Sequence, residues 1–161
     1  MKKTLLLLIT LVITALSFGQ QKTTLSTTAG TEILLPVGRT LPTTHFAGVS
    51  ANLQFEIKDS SRVSYLLYSG YNYMFCKPGG TSFVQFPALG GLKVHFNDII
   101  SLGALGGVCF TNNELRFKFN YIFALGMEYD KMSMDFRFNS ISISGHQNDI
   151  STISLRTAYK L

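Results

Sequence analysis

The stretch LRFKFNYIFALGMEYD, residues 115–130, decides how this chain folds. Its odd positions are Leu115, Phe117, Phe119, Tyr121, Phe123, Leu125, Met127 and Tyr129, all apolar or aromatic. Its even positions, Arg116, Lys118, Asn120, Ile122, Ala124, Gly126, Glu128 and Asp130, hold every charge in the stretch. Alternation with period two is the pattern of a β-strand with one greasy face. The run is 16 residues long, whereas strands of globular proteins commonly have about 5–6. So long an apolar face must lie against a protein core, a ligand or lipid.

The same period recurs along the chain in eight segments, at 22–35, 45–57, 62–76, 81–96, 99–111, 115–130, 132–143 and 149–161. The connections are short and rich in turn formers, so neighbouring strands are expected to pair as antiparallel hairpins. Tight turns at KDSSR (58–62), FND (96–98) and YDK (129–131) alternate with longer loops, of which PVGRTLPTTH (36–45) is the longest. The two ends of the assembly are therefore unequal. No helix, linker or second domain is indicated.

One face of these strands carries no charged residue. It holds, for example, Leu53, Phe55 and Ile57 in the second segment, Tyr65, Tyr71 and Phe75 in the third, and Phe136 and Phe138 in the seventh. The first segment, with Leu25, Thr27, Ala29, Thr31 and Ile33, is the least apolar. The other face holds Glu32, Glu56, Lys93, Arg116, Lys118, Glu128, Asp135, Arg137, Arg156 and Lys160, interspersed with Gly70, Gly91, Ala124 and Gly126. A water-facing surface carries far more Lys and Glu than this. A narrow barrel interior, by contrast, needs small residues beside paired charges. Lipid explains the apolar face. A closed barrel satisfies its own backbone, and Lys or Arg at the midplane of a lipid-facing wall costs roughly 2–4 kcal/mol. The reading is an all-β, eight-stranded antiparallel up-and-down transmembrane barrel in the cell outer membrane. Tyr71, Tyr73, Phe75 and Phe110 would form its outer aromatic girdle, and Phe96, Tyr129 and Tyr159 the periplasmic one.

The remaining features fit that setting. Residues 1–19 read as a cleaved signal peptide, with Lys2 and Lys3 ahead of an apolar run at 5–16 and small residues at Ser17 and Gly19. That run, roughly a dozen residues, is too short to span a bilayer. Residues 20–161 are then one outer-membrane barrel domain. Charged residues are 14% of the chain, against about 25% in ordinary soluble domains. The net charge of +5 includes both leader lysines, and no basic run is interleaved with aromatics, so nucleic acid is not an expected partner.

The segments FVQFPALGGLKVHFNDIISLGALGGVCF, FNYIFALGMEYDKMSMDFRFNSISI and the terminal ISLRTAYKL carry a family likeness. They resemble the small porin-family outer-membrane β-barrel domain over about residues 81–161. The resemblance implies an eight-stranded membrane barrel that brings no catalytic residues with it. It also implies membrane lipid and the outer-membrane barrel assembly machinery as partners of a monomer. Such barrels usually end in an aromatic residue, whereas this chain ends in Leu161 with Tyr159 two positions earlier.

No catalytic, cofactor-binding or metal site is expected. The glycines of ALGGLK and LGALGGV match neither a dinucleotide fingerprint nor a P-loop and read as space for lumen side chains. His45 and His146, with Asp149, lie in loops that become neighbours on closure and make a weak metal candidate. His95 reads as a hydrogen-bonded lumen histidine. Cys76 and Cys109 lie on strands separated by a third, about 9–10 Å apart and beyond disulfide reach. The candidate site is a lumen ion-pair network of Glu32, Glu56, Lys93, Arg116, Lys118, Glu128, Asp135, Arg137 and Arg156, with Arg137 expected to bridge Glu128 and Asp135. It gives the protein a side-chain-filled lumen and a structural or surface-interaction role.

Two alternatives stand beside this reading. A soluble periplasmic barrel would turn the apolar face inward around an apolar ligand. An outer-membrane lipid-modifying hydrolase would need a Ser/His/acid set interrupting the lipid-facing wall. RFNSISISGH (137–146) comes nearest to such a motif without matching it.

Overall fold

The computed structural model describes residues 24–38, 41–58, 62–112, 114–142 and 150–161; the side chains of 114–116 fall outside that description. The leader at 1–19, His146 and Asp149 also lie outside the described residues. Period-two alternation becomes eight strands: β1 (Thr24–Val37), β2 (His45–Lys58), β3 (Val63–Cys76), β4 (Phe83–His95), β5 (Ile100–Thr111), β6 (Glu114–Tyr129), β7 (Met132–Ser142) and β8 (Ile150–Lys160). Each pairs antiparallel with its sequence neighbour, and β1 pairs with β8, so the sheet closes into a barrel. Closure removes every sheet edge, which is what a strand assembly in lipid requires. The strands run from 11 residues in β7 and β8 to 16 in β6, enough for a tilted crossing that needs about 9–11.

The ladder is staggered. The paired inward residues Gln85, Asn72, Ser50, Glu32, Arg156, Asp135, Gly126, Ser101 and His95 lead once around the barrel and return to β4 ten residues further on. One inward row thus climbs from the tight-turn end, at His95, to the long-loop end, at Gln85. Such stagger accompanies the strand tilt that closing a barrel demands.

The outer surface is the apolar face. Phe117, Phe119, Phe123, Leu125 and Met127 of β6 are all more than half exposed, while Asn120 and Ile122 between them are buried. The β6–β7 connection is a two-residue turn, with Asp130 at φ 51°, a left-handed conformation that Asp tolerates well in hairpin turns. A short helix that the period-two reading did not anticipate, α1 (Leu41–Thr44), lies in the longest loop. Its Leu41 packs beneath the outer mouth with Leu34, Met74, Phe83 and Ile150, forming an apolar plug. The loop is tied to its neighbour by Lys77 N donating to Thr44 O at 2.8 Å and Lys77 Nζ to Pro42 O at 2.6 Å.

Candidate functional site

Below the apolar plug the lumen is filled by charge. Glu32 of β1 sits at its centre, 5% exposed. Its Oε1 accepts from Asn52 Nδ2, Tyr68 OH and Arg137 Nη1, each at 3.0 Å, and its Oε2 accepts from Ser154 Oγ at 2.9 Å. Arg137 also donates through Nη2 to Gln54 Oε1 at 2.8 Å and Asp135 Oδ2 at 2.9 Å, and its guanidinium lies 5.0 Å from the centre of the Tyr68 ring. Arg156 donates to Asn52 Oδ1, Asp135 Oδ2 and Thr28 Oγ1 at 2.7, 3.1 and 2.9 Å. Two carboxylates thus face two guanidiniums, with neutral donors and acceptors filling most of the remaining positions and Arg137 Nε left without a hydrogen-bond partner. Buried charges persist only when paired and hydrogen-bonded in this way. Around Tyr68, the side chains of Leu66, Leu89, Leu105 and Ile122 complete the packing. The hollow between Gln54, Lys93, Gly126 and Arg137 measures about 10 Å³, the threshold for holding a single water.

Gly126 is required here for space. A Cβ at this position would stand 2.5 Å from Asp135 Oδ1 and 2.8 Å from Ser101 Oγ, closer than real Cβ contacts allow.

A second cluster closes the tight-turn end. Lys93 Nζ donates to Glu56 Oε2 at 3.0 Å and also contacts Glu128. His95 Nε2 lies 2.9 Å from Glu56 Oε1 and 3.1 Å from Ser64 Oγ. Ligand atoms of Glu56, His95 and Glu128 lie within 4.8 Å of one another, a grouping with metal-site proportions. The Lys93 ammonium already sits against both carboxylates and fills the cation's role. Three residues this far apart in sequence show no ligand spacing, so the cluster is visible only after the barrel closes.

The expected bridge from Arg137 to both Glu128 and Asp135 is corrected in part. Arg137 pairs with Asp135 and Glu32, while Glu128 pairs with Lys93. Glu128 stands opposite Ser133 in the β6–β7 ladder, two inward positions below Arg137. At about 3.4 Å per residue this is roughly 13 Å along the strand, farther than Arg137 must reach to meet Glu32 across the lumen. Lys118 lies half-buried opposite Cys109 near the outer end, the Arg116 side chain falls outside the description, and Lys160 is exposed at the tight-turn rim. His45 is buried, with its ring nitrogens 2.8 Å from Thr44 Oγ1 and 3.2 Å from Thr81 O, an arrangement that holds the loop rather than a metal. Cys76 and Cys109 are free thiols. The sequence reading missed the neutral partners Asn52, Gln54, Tyr68 and Ser154, whose even numbering on the inward face was the available signal.

No protein-family model and no curated protein matches the sequence. Solved structures do. The outer membrane enzyme PagL aligns with TM-score 0.65 and 13% identity over 83% of this chain and 99% of its own. The Yersinia pestis outer membrane protein Ail, in a phospholipid bilayer nanodisc, aligns with TM-score 0.59 and 10% identity over 84% and 99%. A de novo designed transmembrane β-barrel aligns with TM-score 0.59 and 9% identity over 84% and 95%. This is the outer-membrane β-barrel fold. The eight-stranded outer-membrane barrel that the resemblance implied is therefore the observed architecture, and none of these matches is to the porin family. An enzyme, a natural membrane protein and a design share that architecture, so the fold by itself assigns no activity.

Proposed function

We propose that the protein is a small integral outer-membrane barrel with a sealed lumen, acting structurally or through its outer loops rather than by catalysis or transport. The observation that carries this reading is the pairing of an outer wall whose described outward strand residues carry no charge with an interior closed by the Glu32–Arg137–Asp135–Arg156 network. An eight-stranded barrel has room inside only for its own side chains. The apolar plug around Leu41 adds a second closure at the outer mouth. A soluble barrel holding an apolar ligand would need the opposite arrangement of faces. A lipid hydrolase would need His and acid on the outer wall, and among the described residues the strand histidines, His45 and His95, both point inward. In this reading residues 1–19 are the export leader, the assembly machinery inserts a monomer, and the long loops face the outside.

Cell fractionation followed by electrophoresis with and without boiling tests it. The expected result is detergent-dependent extraction from outer membranes, a mobility shift on heating, and no stepwise conductance in planar bilayers. Release with the soluble periplasmic fraction would overturn the membrane reading; steady conductance would overturn the sealed lumen. Turnover of membrane lipid that survives in no boiled control would overturn the non-catalytic role.

A further inference from the structure

Between the central ion-pair network and the apolar plug, the lumen is crossed by a belt of short polar side chains. On one wall Asn139 stands opposite Thr152 in the β7–β8 ladder, and Asn120 lies diagonal to Asn139, two residues beyond its partner Ile122. On the facing wall, four strands around, Ser50 pairs with Asn72 in the β2–β3 ladder. Both patches border the network. Asn139 and Thr152 lie one inward step above Arg137 and Ser154, while Ser50 pairs with Glu32. The plug covers them, with Ile150 one inward step above Thr152 and Met74 one above Asn72.

All five belt side chains are at most 5% exposed. Asn72 Nδ2 donates to Gln85 Oε1 at 3.1 Å. Among the described residues, Asn120 Nδ2 and Oδ1, Asn139 Oδ1, Thr152 Oγ1, Ser50 Oγ and Asn72 Oδ1 have no hydrogen-bond partner. A buried polar atom left so forfeits its whole hydration, and this many in one layer would rival the entire stability margin of a small domain. The belt also has room. The same ring of eight strands encloses Arg137, Arg156, Tyr68 and Gln54 below, whereas here it encloses Ser, Asn and Thr, with Gly107 opposite Asn120.

We propose that this belt is a buried hydration site, in which a small cluster of waters bridges Asn120, Asn139 and Thr152 to Ser50 and Asn72. Water fits because it both donates and accepts, as the two unpartnered atoms of Asn120 require. A cation is a poorer occupant, since the Arg137 guanidinium lies one step beneath and none of the five belt side chains carries charge. Each water would meet the two to four polar partners that hold internal water in place. Closed by the plug above and the guanidiniums below, the cluster is trapped and offers no through-path. The proposal rests on the sealed-lumen reading above.

Nuclear magnetic resonance of the folded full-length barrel in lipid nanodiscs tests it. The side-chain amide of Asn120, assigned through its own backbone resonances, is expected to show a cross-peak with water of the sign that bound water gives. Absence of that cross-peak, with contacts to the Asn139 or Thr152 side chains in its place, would mean that the belt pairs within itself and would overturn the site. Urea unfolding supplies a second reading. Asn120→Leu should lower the midpoint, because it displaces water and strands the neighbouring oxygens. Asn120→Ser, which keeps a hydrogen-bonding group and leaves space for a further water, should stay closer to wild type. A Leu variant at least as stable as the Ser variant would overturn the site; should the Leu variant not fold, the wild-type cross-peak decides. Planar-bilayer conductance is read on the same wild-type barrel. Steady conductance counts against the sealed lumen itself, and a silent barrel without the water cross-peak counts against this site alone.

Discussion

The two charged clusters of the lumen use the same chemistry in different surroundings. At the centre, Glu32 and Asp135 face Arg137 and Arg156, and the guanidinium side chains are at most 2% exposed. At the tight-turn mouth, Glu56 and Glu128 face Lys93, Glu128 is 33% exposed, and a vestibule of about 140 Å³ opens beside them. Arginine stands where a fixed fork can meet several acceptors at once, although Arg137 Nε has no hydrogen-bond partner, and lysine where water can complete its shell. The centre is a keystone that tolerates no missing partner. The mouth is a set of ion pairs that water can repair.

One substitution made at both sites separates them. Glu32→Leu removes the acceptor of four donors and leaves Arg137 with Asp135 as its remaining carboxylate, so unfolding in urea from lipid vesicles should cost about 3–5 kcal/mol less. Glu128→Leu, where water reaches the site and Glu56 still holds Lys93, should cost under about 1 kcal/mol and lose that effect in high salt. Equal losses at both sites would break the distinction. Between these extremes lies Gly126→Ala. The added methyl collides with Asp135 and Ser101 and should destabilise by about 1–3 kcal/mol. Pairing it with Asp135→Asn sharpens the comparison: if the glycine is there to seat Asp135, the two losses will not add.

Most of the barrel was legible because lipid leaves a stronger imprint than water does. A single charge on the outer face is costly, so the outward positions of β2 to β8 read as one uncharged and mostly apolar pattern, with Ser69 of β3 and Thr157 of β8 among its polar exceptions. The segment with the weakest pattern, β1 with Ala29 and Thr31 facing outward, also lines a shallow depression of the outer wall beside Ala51 and Thr157. A shallow outer surface and a poor alternation are one fact seen twice. Helix α1 was not legible, because four residues, LPTT, make barely one helical turn and so cannot repeat a helical pattern. The partners within the lumen were legible only as a face. Which carboxylate meets which guanidinium depends on stagger and on reach across the barrel, as the exchange of Glu128 for Glu32 beside Arg137 illustrates. Neutral residues such as Gln54 and Ser154 became partners for the same reason.

The central claim, that odd residues of 117–129 face lipid and even ones a sealed interior, has a direct measurement. With Cys76 and Cys109 replaced by Ser, single cysteines from 117 to 126 are spin-labelled in reconstituted vesicles, and collisions with oxygen and with a water-soluble nickel chelate are recorded. The account predicts high oxygen access at 117, 119, 121, 123 and 125, low access to both reagents at the positions between them, and no nickel access at either set. Nickel access at the odd positions, or oxygen access without period two, would contradict it.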